Sequence, residues 1–316
     1  MLFNVGNLVR ELRKMKGLTQ EKLAEGICSR STILMIEKGE RKPDWFTFRN
    51  IMARLGEDPN KFNIEIADNE ETFVVRKHLE WLAYIRECDY ESMKKEIELH
   101  KNDKRFLNGR GRFFFLKLKT CFYNMGPYMD CQIAIECALE SIRLTRPDFE
   151  INNINTYFLA PHEIETINNL ANAYSNHDEP EMSLKILRLL KENLGLHYAS
   201  FLNFNQFYLL ILVNLAEDLN RLDILNESLE VCAEGMEVSL GCRDMLYYMN
   251  FVLTKAECLM KLGNKTEGKE LFKQVMLFSY ATQGKTGMDF NEIAADYMEK
   301  YNEKIDLSLP WPEGMK

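Results

Sequence analysis

Arg30, Ser31 and Thr32 follow Ser29 and stand directly ahead of the apolar run Ile33-Leu34-Met35-Ile36. A guanidinium beside several hydroxyls suits recognition by hydrogen bonding, because each group can donate to or accept from the edge of a base. Met35, about one turn further on, can touch a thymine methyl or pack against a neighbour. No general acid, nucleophile or phosphate-cradling loop accompanies this set, so the chemistry implied is binding.

Such side chains discriminate only when a rigid scaffold presents them. Residues 18–39 read as two short helices around a tight turn, the second ending at Gly39. Thr19 can cap the first and Ser29 the second, each hydroxyl accepting an orphan backbone N–H. Leu23 and Ala24 on one helix, with Ile33 and Ile36 on the other, form the apolar seam. A helix that is polar at its N-terminal end and apolar behind suits the major groove of DNA. Ahead of this pair, a helix from Phe3 to Lys16 is expected with Val5, Leu8, Leu12 and Met15 inward, ended by Gly17. Behind it, Pro43-Asp44 opens another, with Asp44 as cap and Phe48, Ile51 and Leu55 inward. A fifth short helix near Pro59–Phe62 completes a domain over residues 1–63, followed by a linker at 64–72.

This stretch resembles the helix-turn-helix of the phage-repressor-like (Cro/CI, or XRE) family. Leu18-Thr19-Gln20 at the start, Ile33-x-x-Ile36-Glu37-x-Gly39 at the end, and the spacing between them carry the resemblance. It implies that Gln20 contacts a phosphate, that Arg30, Ser31 and Met35 face bases, and that Lys38, Arg41 and Lys42 touch the DNA backbone. With Ser29 and Thr32, these are the candidate DNA-binding residues. It also implies a salt bridge between Arg13 and Glu37. There are two departures. Leu34 and Met35 replace the usual polar pair, and the turn Glu25-Gly26-Ile27-Cys28 is one residue shorter than the common version. The short Gly-Ile-Cys-Ser form is similar to regulators of the PlcR and Rgg group.

The net charge of −8 looks wrong for a DNA binder until the chain is divided. Residues 1–62 hold 12 Lys+Arg against 8 Asp+Glu, net +4, and the remainder 28 against 40, net −12. A basic head on an acidic body directs the head toward phosphate and keeps the body off it. A hydrophobic content of 46% points to a globular chain. No apolar run approaches the roughly 18 residues of a membrane span, and no signal peptide is expected, which suggests the cytoplasm. The eight cysteines are scattered without a Cys-x-x-Cys pair and read as reduced core residues. The five dispersed histidines suggest no metal site. No cofactor and no enzymatic activity are expected.

The body, residues 73–305, shows no strand pattern and reads as paired amphipathic helices with a period near 40–45 residues. Leu170-Ala-Asn-Ala-Tyr174 leads to Ser183, Leu187 and Leu190. Leu215–Leu219 leads to Ser228, Cys232 and Gly235. Ala256 and Leu259 lead to Gly268 and Phe272, and Trp81 and Tyr84 lead to Met93 and Ile97. With a degenerate unit at 106–145, this makes five helix pairs and a closing helix at about 288–304, with a tail at 306–316. The expected fold is therefore all-α: a helix-turn-helix domain, then a right-handed α-solenoid of about five tetratricopeptide-like pairs with a C-terminal capping helix. The basic segment Lys101–Arg112 reads as a solvated inter-repeat loop, with a DNA contact or a carboxylate clamp as the sharper alternative.

On the tetratricopeptide pattern, Glu165, Asn168, Asn169 and Asn172 point to or border a concave groove in the third pair. Val213, Asn214 and Glu217 do so in the fourth, and Asn250, Leu253 and Glu257 in the fifth. Carboxamides there match the unpaired backbone of an extended peptide, and apolar neighbours would select its side chains. The whole arrangement resembles the RRNPP family of peptide-responsive regulators. That resemblance implies a homodimer that binds a palindromic operator in double-stranded DNA, does not associate with a membrane, and is controlled by a short signalling peptide in quorum sensing. The alternative is a helix-turn-helix protein whose repeats form a protein–protein scaffold with no peptide ligand.

Overall fold

A computed structural model describes residues 5–57, 59, 70–198, 205–282 and 290–301. The chain forms two compact units, Met1–Ile211 and Leu212–Lys316. The described residues contain helices and no strands. The expected C-terminal tail falls outside them, as do residues 64–69 of the expected linker and the helix near 59–62 except for Pro59; residues 70–72, read as linker, open the first repeat helix instead.

The head holds α1 (Val5–Met15), α2 (Gln20–Ala24), α3 (Arg30–Glu37) and α4 (Trp45–Arg54). Thr19, Ser29 and Asp44 each accept the backbone N–H three residues on, from Lys22, Thr32 and Thr47. Leu23, Ile33, Phe48, Ile51 and Leu55 are all within 1% of complete burial. Each such side chain contributes about 1.5–3 kcal/mol, which lets helices of five to eleven residues hold together. Met15 corrects the expectation for α1: it is 80% exposed, while Val9 is fully buried in its place. The inward stripe runs Val5, Leu8, Val9 and Leu12, and Met15 in the last turn lies beyond the core it would join.

Five helix pairs follow. They are α5 (Glu70–Arg86) with α6 (Tyr90–His100), α7 (Gly109–Asn124) with α8 (Cys131–Thr145), α9 (Pro161–Asn176) with α10 (Pro180–Tyr198), α11 (Asn205–Arg221) with α12 (Leu225–Cys242), and α13 (Met245–Lys261) with α14 (Lys265–Thr282). The closing helix α15 spans Phe290–Tyr301. The aligned small residues are where helices meet. Ser183 and Ser228 are fully buried, and the Ser228 hydroxyl donates to the Ala216 carbonyl at 2.8 Å. A Cβ on Gly235 would enter the Phe251 ring, and one on Gly268 would meet Met260.

The basic segment is the largely exposed connection between the first two pairs that the sequence suggests, but it is pinned at one point and its end is helical. Lys104–Phe106 forms a 3-10 turn, Phe106 is fully buried, and Gly109 starts α7. Phe106 anchors the segment under Trp81 and Phe115, with ring centroids 4.9 and 6.1 Å away. Its charges are consumed locally: Arg105 covers the Phe73 ring, Arg112 pairs with Glu140, and Arg110 grips the Asp44 carboxylate at 2.5 Å.

Candidate nucleic-acid and peptide interfaces

The recognition edge is built by two caps and one ion pair. Capping by Ser29 starts α3 at Arg30, and Ser29, Ser31 and Thr32 hydroxyls bond one another at 2.7–2.9 Å on the exposed first turn. Arg13 grips Glu37 with two bonds, Nε–Oε1 at 2.5 Å and Nη2–Oε2 at 3.0 Å, fixing α1 against the end of α3. Burial opposes ionisation of Glu37, but Arg13 and Gln20 hold its pKa below the ordinary value. Gln20 donates its amide to Glu37 at 2.9 Å, so its side chain is already engaged inside the head. Arg30 pairs with Glu21 at 3.0 Å, both side chains more than 60% exposed. Such a pair is worth about 0–1 kcal/mol, so it does not lock Arg30 in place. Lys38, Arg41 and Lys42 are exposed beyond α3, and Met35 is half-buried.

The opposite side of the head is buried against the repeats. Arg54, 1% exposed, donates to the Glu25 carbonyl and, at 3.2 Å, to the Phe158 carbonyl, with its guanidinium 4.6 Å from the Phe158 ring centre. Arg146 reaches Glu25 at 3.3 Å and Glu163 at 3.2 Å. Glu163 is fully buried and accepts from the Ala160 N–H at 2.8 Å and the Thr145 hydroxyl at 2.7 Å. Burial disfavours its charge, but His162 and Arg146 hold its pKa below the ordinary value. Phe46 packs edge-on against Phe114 at 5.0 Å, and Asn50 bonds His162 at 3.2 Å. None of this docking was read from the sequence. The available signal was Arg54 itself, a charge one residue from Leu55 on the apolar stripe of α4.

The candidate peptide residues divide by what they already touch. In the first unit, Glu165 is tied to Lys117 and Asn169 donates to the Cys121 sulfur at 3.7 Å. Asn168 corrects the expectation of a groove-facing amide: at 2% exposed it lies on the packed side of α9. Asn172 is half-buried and makes no hydrogen bond among the described residues. In the second unit, Val213 is 8% exposed and Asn214 is engaged. Glu257 accepts from Asn220 and Lys300, both at 2.7 Å, and Leu253 packs with Leu271 and Ile293. Asn250 is half-buried, with no side-chain hydrogen bond among the described residues. Glu217 keeps an accessible surface while protein atoms crowd it. That desolvation, with Asp218 and Glu257 nearby, raises its pKa to about 7.

Among the described residues no cluster of His, Cys, Asp or Glu could hold a metal ion, and no helix is long and apolar enough to cross a membrane. The helix-turn-helix family profile matches residues 9–62. An uncharacterised HTH-type transcriptional regulator of Methanothermobacter thermautotrophicus is 44% identical over 52 residues, 16% of this chain and 75% of that protein. The chain belongs to the helix-turn-helix family of DNA-binding transcriptional regulators. Beyond the head, the fold is that of PlcR of Bacillus thuringiensis, solved with the peptide PapR7 and DNA. The TM-score is 0.56 at 18% identity, over 95% of this chain and 99% of that one. ComR of Streptococcus suis is more distant, with a TM-score of 0.46 at 15% identity over 95% of each chain. The helical-repeat architecture of this regulator therefore follows the resemblance read from its sequence, across nearly its whole length.

Proposed function

We propose that this regulator is a sequence-specific, homodimeric DNA-binding protein whose operator affinity is set by a short intercellular signalling peptide bound on its repeat helices. The observation that carries the reading is the division of labour within the first unit. The first turn of α3 faces solvent with Arg30 held only by a weak pair, while α4 sits on α5, α7 and α9, the first helices of three successive repeats. A ligand held by those helices is then mechanically close to the head. The solved relative PlcR, crystallised with a peptide and DNA, supports the same pairing of partners. Two heads held by a dimeric body would read a two-fold operator.

The test uses the full chain and an operator selected from random duplexes. Arg30→Ala should lose about 1–3 kcal/mol of discrimination against mismatched sites. Lys42→Ala should weaken all duplexes alike and flatten the salt dependence. Equal loss of specificity in both overturns the division of roles. Sedimentation should show a dimer. Calorimetry with a peptide selected on the full chain from a random heptapeptide library should show weaker binding to Asn172→Ala and Asn250→Ala. A chain whose DNA affinity no peptide alters is a scaffold instead.

A further inference from the structure

A cavity of about 70 Å³ lies within the first unit where the head meets the repeats, unused by the DNA-binding reading above. Arg49 and Asn50 of α4 line one side, and His78, Lys117, His162 and Glu165 of α5, α7 and α9 line the other. His78 is 8% exposed and lies flat on Phe114, with centroids 3.7 Å apart and rings 4° from parallel. It makes no hydrogen bond among the described residues, and its nitrogens are not sealed from solvent, so an imidazole with no protein partner borders the cavity. Arg49 is exposed and likewise has no hydrogen bond or ion pair among the described residues. Lys117 is bound to Glu165, whose ionised form Arg49 also favours, so the lining carries two positive charges against one negative.

We propose that this cavity takes a carboxylate group, held between Arg49 of the head and His78 of the first repeat, so that the ligand bridges head and body. Four observations point to that chemistry. A planar guanidinium matches a carboxylate with two charge-assisted bonds. A neutral imidazole supplies an N–H donor. Burial first, and then the charges of Lys117 and Arg49, push His78 down to about 2, so the ring stays neutral beside the net positive charge of the lining. Phe46 and Phe113 form apolar walls that strengthen any bond made inside. The volume holds a carboxylate and accompanying water. The exposure of Arg49 gives the cavity a solvent-facing side, and His78 and His162 close the other.

The proposal deepens the peptide reading, since a peptide offers carboxylates at its C-terminus and on acidic side chains, but it can fail separately. The probe is acetate, titrated at pH 7 into the full chain while the imidazole resonances are followed by NMR; five histidines keep the spectrum readable. The His78 signals should shift saturably with acetate and not with methylammonium at equal ionic strength. Arg49→Gln should weaken acetate binding about tenfold, and Arg49→Lys should recover part of it, with the melting temperature unchanged because Arg49 is exposed. Identical shifts from both ions, or no effect of Arg49→Gln, overturn the proposal. Two synthetic heptapeptide pools, with free and with amidated C-termini, then identify the source. A His78 response confined to the free pool assigns the terminal carboxylate, and a response to acidic members of either pool assigns a side chain. If acetate moves His78 and neither pool binds by calorimetry, the cavity assignment stands and the peptide reading falls. If a pool binds while His78 stays silent, the reverse holds.

Discussion

The two faces of the head use the same residue types at opposite strengths. On α3, Arg30 and Glu21 pair in open solvent, each side chain more than 60% exposed. On the docked face, Arg54 is 1% exposed and Glu163 fully buried. Exposed pairs exchange partners at little cost, whereas a buried charge stripped of its partner is expensive. On the proposed recognition face Arg30 can therefore exchange Glu21 for another anion, while the docked face holds its charges in place.

Three experiments break or sharpen that contrast. The largest effect is expected from Glu163→Ala, which removes an Arg146 partner and leaves a buried cation with the half-buried Glu25 and the Phe158 carbonyl. Urea unfolding should show a loss of about 3–5 kcal/mol, and a loss below 1 kcal/mol would mean that the docked charges are no tighter than the exposed ones. A middle effect is expected from pH. Burial is the main cause that lowers His162 from 6.5 to about 4, so the unfolded chain takes up the proton first. Stability should be complete above pH 6.5 and fall as pH drops toward 4, by about 1.4 kcal/mol per unit from this residue. His78, lowered further and also mainly by burial, adds a like slope over the same range, so His162→Gln should about halve the total, and an unchanged slope would place the sensitivity elsewhere. The smallest effect belongs to Glu21→Ala, expected to change stability by less than about 1 kcal/mol. It should raise affinity for the selected operator slightly by releasing Arg30; a large destabilisation would show that the exposed pair is structural.

The same contrast explains what the sequence disclosed. Caps are local, so Thr19, Ser29 and Asp44 were legible from position and spacing. The Arg13–Glu37 bridge was legible through a motif. The repeats were legible because Ser183, Ser228, Gly235 and Gly268 recur where helices must approach closely. The docking was not, because Arg54 meets Phe158 and Asn50 meets His162 across more than a hundred residues. No periodicity encodes a contact of that range. Met15 and Asn168 were misplaced for a related reason: a helical stripe gives direction, but the extent of the core decides which members of the stripe it covers.

The short turn between α2 and α3 has a practical bearing. Gly26 sits there at φ +70°, and a Cβ at that position would run into the Glu163 carboxylate. The reading head is thus shaped to its seat. Grafting a repressor head with the common, longer turn onto these repeats would push a side chain into an occupied ionic site. Domain-swap reporters made from this protein should carry Gly26 and its turn along with the repeats, and exchange only the outward residues of α3.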